Sequence, residues 1–307
     1  MTLTIKSGDY QAVIVPEGAG LASLTYRGRD LVVPHDPNVT PKGYSGKILV
    51  PWPNRIAGAA YQWGGQQLTL ESNEAATGAA LHGLRSFSSW EVVSQSQNSV
   101  TLSTQIDPTP GYPFTLDAQT HYTLGLDGLE VRVTAQNRGT VPAPYGVSLH
   151  PYLSAGPVDD CVLTIPAETV LDVDHNLTPI GEIPAGNLNL DFRAGLSMHG
   201  RSVDHAFSSL PDEKWTVSLV NLGTGAGVKM TADQRWVQAY SGEELDRAGV
   251  GVEPMSCPPN AFNTGIDLVV LEPGETHTFT THIADASLEG DLFLGTASSP
   301  EDLTVRP

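Results

Sequence analysis

The stretch DAQTHYTLGLDGLEVRVTAQN, residues 117–137, decides the fold class. In its second half Leu129, Val131, Val133 and Ala135 alternate with Glu130, Arg132, Thr134 and Gln136. A period of two puts one set on each face of a strand. Asp127-Gly128, between the halves, is a dipeptide that favours the tight type I′ hairpin turn. The same alternation recurs outward. TLTIKS (2–7), YQAVIV (10–15) and LASLTY (21–26) open the chain as short strands. YQWGGQQLTL (61–70) reads as a hairpin about Gly64-Gly65, and SWEVVSQSQNSVTLSTQID (89–107) as one turning near Asn98. Downstream lie DDCVLTIPA, KWTVSLVNL, GVKMTAD, RWVQAYSG, IDLVVLEPG and THTFTTHIA, the last ending at Ala284. No helix-period segment exceeds about ten residues. Many short strands with turn signals between them specify an all-β sandwich or barrel.

The 307 residues carry no linker or composition shift, so one domain, 1–307, is expected, with a loose C-terminal tail (GTASSPEDLTVRP) from about residue 294. Charged residues are 16% of the chain, and 34 acids face 16 bases for a net charge of −18. Nucleic acid and anionic membranes need clustered Lys and Arg, so both are excluded as partners. A neutral small molecule fits better. Cys161 and Cys257 stand outside any CxxC pair and read as two free thiols. The N-terminus has no basic region followed by an apolar run, and no stretch approaches a membrane helix, which points to the cytoplasm. Monomer and homodimer are both compatible with these features.

Several apparent motifs dissolve on inspection. Gly223, Gly225 and Gly227 in NLGTGAGVK lack the spacing of a dinucleotide fingerprint and read as a hairpin turn. Ser148 lies two residues before His150, but GxSxG and the helix it needs are absent. His121, His175 and His199 stand alone and read as structural or solvated. No His pair has metal-ligand spacing, so no metal is expected.

The remaining candidates are His82 in LHGLRSF, His150 in SLHPYL, Asp204 in SVDHAF, Asn54-Arg55 in PWPNRI and Glu253 in VEPMSCPPNAF. Each has a plain alternative: a core histidine, an ion-paired arginine, a turn-capping aspartate. As a set they suit acid–base chemistry on a sugar. Aromatics offer faces to C–H-rich rings, and Arg, Asn and Asp offer directional hydrogen bonds to hydroxyls. A Glu near its reference pKa of about 4.3 accepts a proton at neutral pH, and a His near about 6.5 holds one to give. Glu253 reads as placed where a strand, Gly249–Val252, gives way to a loop stiffened by Pro254, Pro258 and Pro259.

Seven motifs in order, NRI (54–56), LHG (81–83), HPY (150–152), DFR (191–193), VDHAF (203–207), VQAYSG (237–242) and EPMSCPPNAF (253–262), resemble those of the aldose 1-epimerase (mutarotase) family. The resemblance implies a large antiparallel β-sandwich with a sugar in a cleft over one sheet. It implies Glu253 as general base at the C1 hydroxyl and His150 as general acid at the ring oxygen, with no cofactor. It implies that Asn54, Arg55, His82, Tyr152, Asp204 and Gln238 hold sugar hydroxyls. Two departures stand out. PWPNRI replaces the Gly-rich run of galactose-type members, and EPMSCPPNAF lacks their Gln and Asp, which places the chain nearer a bacterial subgroup. The expected substrate is a glucose- or galactose-like hexose. A modified hexose such as a sulfonated one, a glycoside hydrolase using Asp204 as second carboxylate, and a non-catalytic sugar-binding protein are the alternatives.

Overall fold

A computed structural model describes residues 1–287; the expected tail from about 294 lies outside the described residues. The 117–137 stretch forms a hairpin, but its turn is centred on Leu126-Asp127 and not on the expected Asp127-Gly128: the Gly125 N–H donates to the Gly128 carbonyl at 2.8 Å, and neither Leu126 nor Asp127 has the left-handed backbone of a type I′ turn. Strands Leu116–Leu124 and Leu129–Asn137 pair antiparallel, from Leu116 opposite Asn137 to Leu124 opposite Leu129. Along Leu129–Asn137 every second residue is buried. This hairpin lies within a nine-stranded sheet that also holds Glu91–Gln95, Ser99–Ile106, Thr276–Asp285, Gly227–Ala232, Trp215–Asn221, Cys161–Thr164 and Leu196–Ser197.

A second sheet of eight strands carries, in order, Pro179–Pro184, Thr169–Val173, Asp204–Ser208, Trp236–Tyr240, Val250–Met255, Ser148–Leu149 and Ile48–Leu49, with Tyr152–Leu153 also paired to Val250–Met255. A four-stranded sheet, Leu3–Asp30, opens the chain. The apolar faces meet in a core that joins Val131 and Val133 of the first sheet to Val237, Val250 and Val252 of the second. Burial of such side chains, roughly 1.5–3 kcal/mol each, is what opposes the chain entropy of folding.

Strand Val250–Met255 runs three residues further than the sequence suggests, so Glu253 sits inside it and not at its end. Pro254 is tolerated in this interior strand although it cannot donate to the ladder. Its carbonyl accepts a hydrogen bond from Ser148 Oγ at 2.7 Å. Cys161 and Cys257 are buried free thiols. Gly223 and Gly225 lie in the turn between Trp215–Asn221 and Gly227–Ala232, and Gly227 opens the second strand opposite Val220.

Candidate active site

Period two delivers three side chains to one place. In Val250–Met255, Val250 and Val252 enter the core, so Gly251, Glu253 and Met255 face the other way. Glu253 lies opposite Gln238, Gln238 opposite Ala206, and Asp204 two residues on. Ser148 pairs with Met255; continuing that register two residues brings His150 alongside Glu253. The result is a cavity on the face of the eight-stranded sheet away from the core. It takes in about 520 Å³, open solvent included. Asn54, Arg55, His82, His150, Tyr152, Asp204 and Glu253 line it. Gln238 does not: it is buried behind Asp204, to which its Nε2 donates at 2.6 Å.

The NRI and LHG motifs meet as a two-stranded ladder, Arg55 opposite Leu81. Asn54 and His82, just outside it, brace one another. The His82 N–H donates to the Asn54 carbonyl at 3.0 Å, and the Asn54 N–H donates to His82 Nδ1 at 3.2 Å. A backbone N–H can only donate, so Nδ1 is unprotonated and the ring proton sits on Nε2. His82 is therefore a neutral donor, and burial together with the neighbouring His150 and Arg55 holds its pKa well below the usual histidine range. Asn54 (φ 51°), His82 (φ 59°) and the cavity residue Tyr44 (φ 53°) all adopt left-handed backbone. That conformation costs of order 1–3 kcal/mol at a non-glycine residue and persists where surroundings over-determine it. Gly83 follows at φ 74°, where a Cβ would stand 2.2 Å from the Val50 carbonyl oxygen.

The cavity floor is a buried acid–base pair. Glu253 Oε1 lies 3.3 Å from His150 Nε2, with both side chains almost wholly buried. Burial, and secondarily the charge of Asp204, drives the Glu253 pKa well above the carboxylate range, with Arg55 opposing. Burial pushes His150 down to about 4. Desolvation penalises both charged forms; the fall at His150 departs from the sequence expectation of an ordinary histidine near 6.5. Among the described residues, no protein group hydrogen-bonds Glu253 Oε2, His150 Nδ1 or Gln238 Oε1.

The rim is charged and paired. Arg55 makes a bidentate ion pair with Glu74, Nε to Oε2 and Nη2 to Oε1, each 2.8 Å. Its Nη2 stands 3.9 Å from Asp204 Oδ2. Tyr152, fully buried, donates its hydroxyl to the Gly43 carbonyl at 2.9 Å. Tyr44, Glu74, Tyr240 and Glu244 also line the cavity, and sequence reasoning missed them as site residues. Tyr44 packs on His82 and Phe87, with ring centroids 4.6 and 4.8 Å apart. Glu74 is one of two acids, with Glu71, between the NRI and LHG motifs, so nothing singled it out, and Tyr44 offered no signal either.

The decoy histidines stay away. His121 Nδ1 contacts Thr101 Oγ1 at 2.7 Å, and His175 and His199 are exposed. Among the described residues, His82, His150 and Glu253 do bring ligand atoms within 4.8 Å of one another. The donor chemistry does not suit a metal. His82 would have to offer Nε2, and its ring proton would then move to Nδ1, directly against the Asn54 N–H.

An antiparallel sandwich with a carboxylate and an imidazole in contact on the floor of one cavity defines the class: an all-β scaffold carrying a candidate acid–base site. The aldose 1-epimerase family model matches residues 1–284, and the chain belongs to this family. It is 44% identical to the uncharacterized protein YihR of Escherichia coli K12 over 279 residues, 90% of each chain. It is 27% identical to human galactose mutarotase over 271 residues, 78% of each. Its fold is that of the Caenorhabditis elegans GalM/aldose epimerase homologue (TM-score 0.84, 21% identity, 94% of this chain and 99% of that one). A putative aldose 1-epimerase of E. coli K12 is similar in fold (TM-score 0.82, 20% identity, 94% and 99%).

Proposed function

We propose that the protein is a mutarotase that interconverts the α and β anomers of a glucose- or galactose-like hexose. The observation that carries this reading is the 3.3 Å contact of Glu253 and His150 on the cavity floor. One carboxylate and one imidazole side by side can reach the two oxygens attached to a single anomeric carbon. The pair shares one proton. Its transfer from Glu253 to His150 across the contact arms the site, and Arg55 favours the carboxylate that results. Glu253 then takes the proton of the C1 hydroxyl. The C1–O1 bond becomes a carbonyl as C1–O5 breaks, and the electron pair left on O5 takes the proton of His150 Nε2. Rotation about C1–C2 turns the other carbonyl face to O5. Reclosure returns each proton to the group that supplied it, and the other anomer leaves.

The roles of the other residues follow from their atoms. His82 offers Nε2–H, Arg55 its free N–H groups, Asn54 its amide and Asp204 its carboxylate to sugar hydroxyls, and Tyr152 walls the ring. Gln238 acts at one remove by orienting Asp204. The human relative's name, galactose mutarotase, supports a hexose. The test is anomer exchange followed by polarimetry or exchange NMR on α-glucose, α-galactose, a sulfonated hexose and a hexose 6-phosphate. Acceleration is expected for at least one neutral hexose. Turnover of the sulfonated hexose alone would move the substrate to that class, and no acceleration of any aldose would overturn the reading.

A further inference from the structure

Arg55 does not meet the cavity freely, and what holds it comes from outside the family motifs. Its guanidinium has five N–H donors in a fixed plane. Two go to Glu74 at 2.8 Å each. Nη1 leans on Asn54 Oδ1 at 3.5 Å, and Nη2 faces Asp204 at 3.9 Å. Glu74 is itself pinned: Thr77 Oγ1 donates to its Oε2, and it bridges to Ala79. The preceding residue ties the same turn to the other cavity wall. Asn73 Oδ1 accepts the Leu81 N–H at 2.7 Å, and Asn73 Nδ2 donates to the Leu81 carbonyl at 3.0 Å and to Tyr44 Oη at 3.3 Å. One short turn therefore grips Arg55, the strand leading into His82, and Tyr44.

We propose that Glu74 is a positioning residue that keeps the Arg55 guanidinium off Asp204, so that both remain available to the sugar. The inference rests on the mutarotase reading. Without Glu74, the acid next in reach of Arg55 is Asp204, whose side chain is 34% exposed and already within 3.9 Å. Closing that gap would make a direct ion pair and remove two hydroxyl partners from the cavity at once. A purely structural ion pair behaves differently: breaking it lowers stability and leaves ligand affinity alone.

A double-mutant cycle on anomer exchange separates the two. Glu74→Ala is expected to raise KM about tenfold, the scale of one charged hydrogen bond, with kcat changed less than about threefold. Arg55→Ala raises KM by a similar or larger factor. In the Arg55→Ala background Glu74→Ala adds less than about twofold, because there is no guanidinium left to mis-place. Glu74→Gln keeps one acceptor for Arg55 and recovers part of the loss; it also carries the test if Glu74→Ala does not fold, as judged by thermal melting. Equal KM factors in both backgrounds, or a lowered Tm with KM unchanged, would overturn the proposal while leaving the mutarotase reading intact. A wild-type protein that turns over no aldose would overturn both.

Discussion

Strands Leu129–Asn137 and Val250–Met255 are both interior members of their sheets, yet they are buried differently. In the first, core residues alternate with exposed or half-exposed ones, so Arg132 meets water. In the second all six residues are buried. Polar side chains on the outer face of the first strand cost almost nothing. On the second, where the cavity walls cover the outer face, Glu253 is buried and its ionised form is penalised. A carboxylate kept in such a place opposes stability and is therefore the sign of a site.

That contrast can be broken in graded steps. Glu253→Gln carries the largest effect. It is expected to lower kcat by roughly 10²- to 10⁴-fold in polarimetry, while Tm holds or rises. The Tm gain should grow with pH. The folded-state pKa of Glu253 is raised above its ordinary 4.5, so the wild type loses stability as pH climbs through that raised value and the glutamine does not. A variant with near-normal turnover would end the mechanism.

His150 has the opposite sign. Its pKa falls from 6.5 to about 4 on folding. The unfolded chain thus binds the proton more readily in that window. The stability this group contributes is complete above about 6.5 and lost as pH falls towards 4, on the order of 3 kcal/mol. Urea unfolding at pH 7 and pH 4.5 should show a shallower acid loss in His150→Asn than in the wild type; parallel losses would mean that the imidazole is not buried neutral.

The smallest effects belong to the first strand. Val133→Ala, in the core, should cost about 2 kcal/mol through lost contacts and a cavity. Arg132→Thr, whose ion pair with Glu130 is half-exposed, should stay within about 0.5 kcal/mol. A large loss from Arg132→Thr, measured by the same unfolding curves, would remove the contrast between the two strands.

Much of the fold and of the site is legible in the amino-acid sequence. The 117–137 alternation reads directly because one face of that hairpin is solvated. Seven of the eight expected site residues line one cavity because their motifs sit on adjacent strands or their ends. Gln238 shares their face, but its short reach to Asp204 keeps it behind the wall. Glu74 is illegible because its partner, Arg55, is nineteen positions away and the turn between them has no periodicity.

By itself the sequence determined the all-β class, the strand segments and the residue types that acid–base chemistry on a sugar requires, since alternation is a local property of the chain; the register of the 117–137 hairpin it did not. Tertiary structure alone decided the burial that shifts Glu253 and His150, the tautomer of His82 and the hold of Glu74 on Arg55. Those depend on desolvation and on distances between segments remote in sequence, and no local pattern encodes either.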